Sequence, residues 1–271
     1  SNPQVKLNAT QGIMLDNNGD YRYYGKNPNN YVTFNDETWR IIGSFNDVDD
    51  GTGKKETRLK IIRNGSIGSY SFDSYPAGSD SGTGITDWGE SDLKSELNNL
   101  YYNSKSGTCY NGLNNASTTC DFTSIGLDSI ARNMITDAIY YSGSSGISSI
   151  YVNRLYDDER NTTEDIATSK IAIMYASDYG YATDLSLCID KLNDYSSSNC
   201  KNNNWLFNNK NESIMTPRGR YSHLWEVSSS GGVINTRVAA FPSEIRPVVY
   251  LKSNIKITGG TGTSSNPYTL S

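Results

Sequence analysis

At 271 residues, the chain is long enough for one large or two small domains, and long enough to bury a sizeable core. Hydrophobic residues make up only 35% and charged residues 20%, below the roughly 45–50% apolar share of an ordinary globular chain; Ser, Asn, Gly and Thr fill the gap, together with 20 Tyr. The net charge of −5, from 24 basic and 29 acidic side chains, argues against the electropositive surface on which nucleic-acid affinity depends, and no run approaches the roughly 20 apolar residues of a membrane-spanning helix.

In chain order, the first third predicts an antiparallel meander. Residues 21–24, 31–34, 38–45 and 58–62 combine β-branched and aromatic side chains, and the breaks between them carry turn chemistry such as Asn17-Asn18-Gly19-Asp20 and Asn35-Asp36. The Asn35-Asp36 pair fits a two-residue hairpin turn with positive φ. Lys54, Lys55, Arg58, Lys60 and Arg63 sit beside Asp47, Asp49, Asp50 and Glu56, which reads as a solvated hairpin. Two helices follow. Asp87 or Ser91 can cap a segment with Leu93, Leu97, Leu100 and Tyr101 at helical spacing, and Asp128 or Ser129 can open a second with Ile130, Met134, Ile135, Ala138 and Ile139 on one stripe. Residues 170–175 read as a buried strand and 177–181 as a short helix or turn. Strands return at 214–215, 224–227, 233–238 and 245–251, before a turn-rich tail and a short terminal strand.

The four cysteines fall as two local pairs, Cys109 with Cys120 and Cys188 with Cys200. Neither has the spacing of a zinc knuckle, and His223 is the single histidine, so a metal site is not expected. Four cysteines allow three pairings, of which local closure of each polar loop is the simplest. Each bridge would contribute roughly 3 kcal/mol. Stapled loops imply an oxidising compartment, the alternative being four reduced thiols in a cytosolic chain. The opening Ser1-Asn2-Pro3 fits a processed chain with a signal or anchor upstream.

Residues 31–43 (Tyr-Val-x-Phe-Asn-x-Glu-x-Trp-Arg-Ile-Ile-Gly), 171–182 (Ile-Ala-Ile-Met-Tyr-Ala-Ser-Asp-Tyr-Gly-Tyr-Ala), Leu224-Trp225-Glu226-Val227 and Ile245-Arg246-Pro247 recur in an order that resembles a surface-protein domain of Gram-positive bacteria. That domain is similar to the C-type-lectin-like superfamily, which includes formylglycine-generating-enzyme-like folds. The resemblance implies a single α+β domain over residues 1–271, with small twisted antiparallel sheets flanked by two helices. It also implies chain ends that meet and long loops, here stapled by disulfides near 104–125 and 186–204. It further implies an adhesive or filament-associated role. The chain departs from better-known relatives: it lacks the Glu-Pro-Asn, Gln-Pro-Asp and Trp-Asn-Asp tripeptides of calcium-dependent lectins, and its cysteines lie well before the final strands, unlike the enzyme's copper site.

Asp16-Asn17-Asn18-Gly19-Asp20 spaces oxygens as a calcium loop would. Yet Tyr21 and Asn27 stand where an EF-hand needs Gly and Glu, so the segment reads as a tight solvated turn that holds at most an adventitious calcium, and no dedicated cofactor is expected. Asp157-Asp158-Glu159 and Asp87, Glu90, Asp92 are the dense carboxylates. The first reads as an exposed loop and the second as helix amino-terminal charge, neither placing a hydrolytic pair. The remaining signal is aromatic. Tyr75, Tyr110, Tyr156, Tyr179, Tyr181, Tyr195 and Trp205 fall on predicted loops among Asn and Ser, a mixture suited to contact with glycan or protein surfaces. Trp39 and Trp225 read as structural, and Arg246 as the anchor for a buried acid such as Glu37 or Glu226. The expected function is therefore a non-enzymatic, extracellular recognition or adhesion domain, with glycan, protein or a neighbouring filament subunit as partner. Alternatives are a filament subunit and a glycan hydrolase acting through Asp157 or Asp158.

Overall fold

The structure, a computed structural model, describes residues 4–74, 86–143, 151–163, 166–217 and 223–271. The amino-terminal strands are β1 (Gln4–Asn8), β2 (Ile13–Asp16), β3 (Tyr21–Tyr23), β4 (Tyr31–Phe34), β5 (Glu37–Asp49), β6 (Lys55–Arg63) and β7 (Ser69–Tyr70). The middle of the chain holds α1 (Asp92–Glu96), β8 (Ser106–Tyr110), β9 (Ser117–Asp121), α2 (Ser129–Met134), β10 (Ala138–Tyr141), α3 (Val152–Arg160), β11 (Ile166–Ser169), β12 (Ile171–Ala172), α4 (Ala176–Tyr181) and α5 (Ser198–Lys201). The last strands are β13 (Glu212–Pro217), β14 (His223–Val227), β15 (Val233–Val238), β16 (Ser243–Glu244), β17 (Val248–Tyr250), β18 (Ile257–Gly259) and β19 (Thr269–Leu270).

The architecture is α+β, dominated by sheet. Eight strands form the main sheet in the order β1-β2-β3-β5-β6-β17-β12, with β4 also paired to β5. A second sheet runs β15-β14-β13-β16-β7. The main sheet is larger than the small sheets expected: β5 continues through 13 residues and stays paired with β6 as far as Asp49↔Lys55, across register shifts at Ile41/Gly43 and Phe45/Val48. Its entry turn is the expected one: Asn35 and Asp36 take φ of 56° and 55°, and Phe34 pairs with Glu37, as a hairpin turn of this hand requires. At Gly43 an added Cβ would lie 2.3 Å from the Tyr21 carbonyl oxygen. Only glycine permits β3 to approach the bulge in β5 there.

The helices are short. Ser91 caps α1 through the Lys94 N–H, and Leu93, Leu97 and Tyr101 of that segment are buried. The second predicted stripe is corrected: α2 stops at Met134, Ile130 stands 67% exposed, and Ala138 and Ile139 belong to β10. Asp128 does cap α2, accepting from Ala131. The stripe fails because the segment turns into a strand paired with β11, which changes the side-chain period from 3.6 to 2.

Both expected disulfides form, Cys109–Cys120 and Cys188–Cys200. Each pair is buried. The second loop does not leave the body, as a surface insertion would. Leu192, Tyr195 and Trp205 are buried, and the Asn204 amide donates to the Tyr179 carbonyl at 2.8 Å and the Thr183 hydroxyl at 2.7 Å. Arg246 anchors a buried acid, but that acid is Glu212, held at 2.6 and 2.8 Å. Glu37 pairs instead with Arg63, and Glu226 accepts from Ser243. The chain ends meet the opposite halves of the fold: β17 lies between β6 and β12, and Tyr268 exchanges backbone hydrogen bonds with Tyr31 and Thr33.

Candidate functional site

The basic residues of β6 do not all face solvent. Arg58 and Lys60 are buried, because alternate residues of a strand point to one side and these two share the inward one. Charge can remain inside only where it is paired. Lys60 Nζ donates to Asp178 Oδ2 at 2.5 Å, Arg22 Nη1 donates to Asp178 Oδ1 at 3.2 Å, and Arg22 Nε donates to Asp16 Oδ2 at 2.6 Å. Burial pushes the Asp178 carboxyl upward, but Lys60 and Arg22 outweigh it and hold it below the usual carboxylate range. The loop read for calcium therefore turns inward. Asp16 spends one oxygen on Arg22 and the other on the N–H groups of Asn18 and Asp20.

Beside this network, the segment read as an exposed acidic loop is the helix α3. Asp157 is exposed and Asp158 lies 3.8 Å from Arg154. Glu159 is buried, against expectation. Its oxygens accept the Ser177 N–H at 3.0 Å, the Ser177 hydroxyl at 2.5 Å and the Thr216 hydroxyl at 2.7 Å. Burial raises its carboxyl above the ordinary value, against the pull of Arg160 and the two hydroxyls. Its geometry is that of a bracket joining α3, α4 and β13.

Above the network opens a cleft of about 280 Å³. Its walls are the turn after β2 with Asn18 and Asp20, the β5 segment with Phe45, Asn46 and Asp47, and the rings of Tyr141, Tyr156, Tyr175 and Tyr250, with Arg160 among them. The rings are held from behind. The Tyr175 hydroxyl accepts the Tyr141 N–H at 2.7 Å, Tyr156 donates its hydroxyl to Asp20 at 3.1 Å, and Phe45 packs edge-on to Tyr250. Burial pushes the Asp20 carboxyl up, against the Asn46 N–H and Arg22. A larger groove of about 420 Å³ runs between Asn98, Tyr102, Asp137 and Lys170. Its central polar groups are matched within the protein: Lys170 is held by Asp137 at 2.6 Å, and the Asn98 side chain bonds the backbone of Lys94, Lys170 and Ile171.

The cleft holds one of the seven aromatic candidates, Tyr156. Tyr110 is half-buried at the end of β8, and Tyr75 lies outside the described residues. The other four are corrected. Tyr179, Tyr181, Tyr195 and Trp205 are buried. Three of them spend a polar tip on an internal partner: the Gly231 carbonyl for Tyr179, Asn17 for Tyr181 and the Tyr23 carbonyl for Trp205. Polar neighbours in sequence suggested loops, whereas α4 packs on all sides and buries every residue from Ala176 to Tyr181. Reading by loops also missed Tyr141, Tyr175, Tyr250 and Arg160. The available signal was Tyr156 and Arg160 at i and i+4 on a helix. Among the described residues, one group has metal-ligand proximity, Cys188, Asp190 and Cys200. Both its sulfurs are joined in the disulfide and offer no thiolate. No protein family, curated protein or solved structure matches the chain.

Proposed function

We propose that this chain is a non-enzymatic extracellular recognition domain of a bacterial surface, C-type-lectin-like in descent, that takes a glycan in the cleft beside Tyr141, Tyr156 and Arg160. The observation that carries this reading is the cleft's lining. The half-buried rings of Tyr141 and Tyr156 offer apolar surface to a sugar, while Asn18 and Asp47 offer amide and carboxylate groups to its hydroxyls. The rings arrive already fixed by the buried charges behind them, so little ordering is needed on binding. Two disulfides suit an oxidising exterior. A glycan array probed with the folded protein should give a defined set of bound saccharides, and Tyr156→Ala should weaken them about tenfold while also lowering the thermal melt, because the same side chain holds Asp20 and stacks on Arg160. An array with no bound saccharide would overturn the reading.

A filament subunit is the second reading, favoured by one observation. β1 ends the main sheet and shows Val5 at 56% and Leu7 at 51% exposure. A strand edge with apolar side chains invites pairing with another copy. Sedimentation that shifts with concentration, and that Val5→Lys abolishes, would favour it.

A further inference from the structure

Among the described residues, Arg160 is the one cation lining the cleft. Its guanidinium lies 3.5 Å from the Tyr156 ring centroid and 5.0 Å from that of Tyr175. Within the protein it donates through Nη1, to the Tyr156 carbonyl at 3.3 Å and to Glu159 at 3.5 Å. No described residue accepts from Nε or Nη2, and the side chain is 21% exposed. Glu159 does not satisfy that edge: three of its acceptor sites go to Ser177 and Thr216, and its one contact with Arg160 is to Nη1. A guanidinium with an open Nε–Nη2 edge is a planar fork, and its natural partner is a carboxylate bound through two parallel hydrogen bonds. Aromatic walls exclude water and strengthen such a pair.

The rim decides what carries the carboxylate. Asp20, Asp47 and Asp49 also line the cleft, which disfavours a small free anion. Asp20 is engaged by the Tyr156 hydroxyl and the Asn46 N–H, and Asp49 by the N–H groups of Gly51 and Gly53. Asp47, and Asp49 through its Oδ2, are left to accept from a ligand's hydroxyls. We propose that the cleft selects a carboxylate-bearing saccharide, a uronic or nonulosonic acid unit, whose carboxylate pairs with Arg160 Nε and Nη2 while its hydroxyls meet Asp47. The proposal rests on the glycan reading of the cleft and adds the ligand's charge.

Titration calorimetry on the whole chain can test it with a glucuronic-acid tetrasaccharide and a sialyl-lactose, each beside the same sugar with its carboxyl reduced to the alcohol. At least one acidic probe should bind, and reducing its carboxyl should weaken binding about tenfold or more. Arg160→Gln should reproduce that loss, and Arg160→Lys should keep part of the affinity. The comparison of acidic with reduced probe uses the unmodified protein, so it stands even if an Arg160 variant fails to fold. Equal binding of both forms would overturn the carboxylate assignment and leave the glycan reading in place. Failure of acidic and neutral saccharides alike would overturn both.

Discussion

Single residues in this protein carry opposite electrostatic fates according to what faces them. Asp178 is buried with two cations and stays ionised. Glu96 is buried with none. Its Oε1 accepts the Tyr110 N–H at 2.8 Å, its Oε2 has no partner among the described residues, and burial with Asp92 and Asp73 nearby pushes its carboxyl up to about 7. The folded chain therefore binds this proton more tightly than the unfolded one. The stability Glu96 contributes is complete below its ordinary value of 4.5 and is lost as the pH rises through about 7. Glu96→Gln removes that dependence and keeps an acceptor for Tyr110. Chemical denaturation should show the variant more stable than the parent at pH 8, by roughly 2 kcal/mol, and little changed at pH 4.

At the scale of elements, local chemistry and packing divide the work. The β4–β5 hairpin is set by its turn residues, and α2 by the Asp128 cap. The β8–β9 hairpin is different. It has only five pairs, Ser106↔Asp121 through Tyr110↔Ser117, and an isolated two-stranded hairpin is marginal in water. The Cys109–Cys120 bridge closes it, and both sulfurs sit in the main core beside Tyr101 and Phe122. Replacing both cysteines with serine removes the chain constraint and puts two hydroxyls in an apolar site. The urea midpoint should fall by an amount equivalent to about 3 kcal/mol or more. The same pair of substitutions at Cys188 and Cys200 should also loosen the cover over Tyr179 and Tyr195, which proteolysis in the 186–204 loop would report.

For the whole molecule, one hydrophobic cluster joins Val32 and Trp39 of the main sheet, Trp88 and Leu97 of the helical segment, and Ile214 and Trp225 of the second sheet. The tail closes it from outside. Tyr31 donates to the Gly262 carbonyl, Thr33 to the Tyr268 carbonyl, and Tyr268 back to Tyr31. Deleting residues 262–271 removes these three bonds and uncovers β4, so thermal and urea unfolding should report a loss on the order of 3 kcal/mol. An unchanged melt would show that the tail is an ornament on an already closed core.

The elements that the sequence announced are those whose signals are local. Turn pairs such as Asn35-Asp36, the Asp128 and Ser91 caps, the close spacing of each cysteine pair and the β-branched and aromatic residues of β5, β6 and β14 each act through neighbours a few residues away. The candidate site was legible only at Tyr156 and in the Asn17–Asp20 turn. Tyr141, Arg160, Tyr175 and Tyr250 come from four separate elements, and nothing in their spacing brings them together. Composition and spacing by themselves pointed to a chain of many strands and a few short helices, with two locally paired disulfides and no apolar run long enough for a membrane-spanning helix. The tertiary structure decided which tyrosines are sealed in the core and which, like Tyr141 and Tyr156, stay half-buried at a cleft, and which acids are paired. Burial and pairing depend on contacts such as Lys60 with Asp178, 118 residues apart, and local propensity does not reach that far.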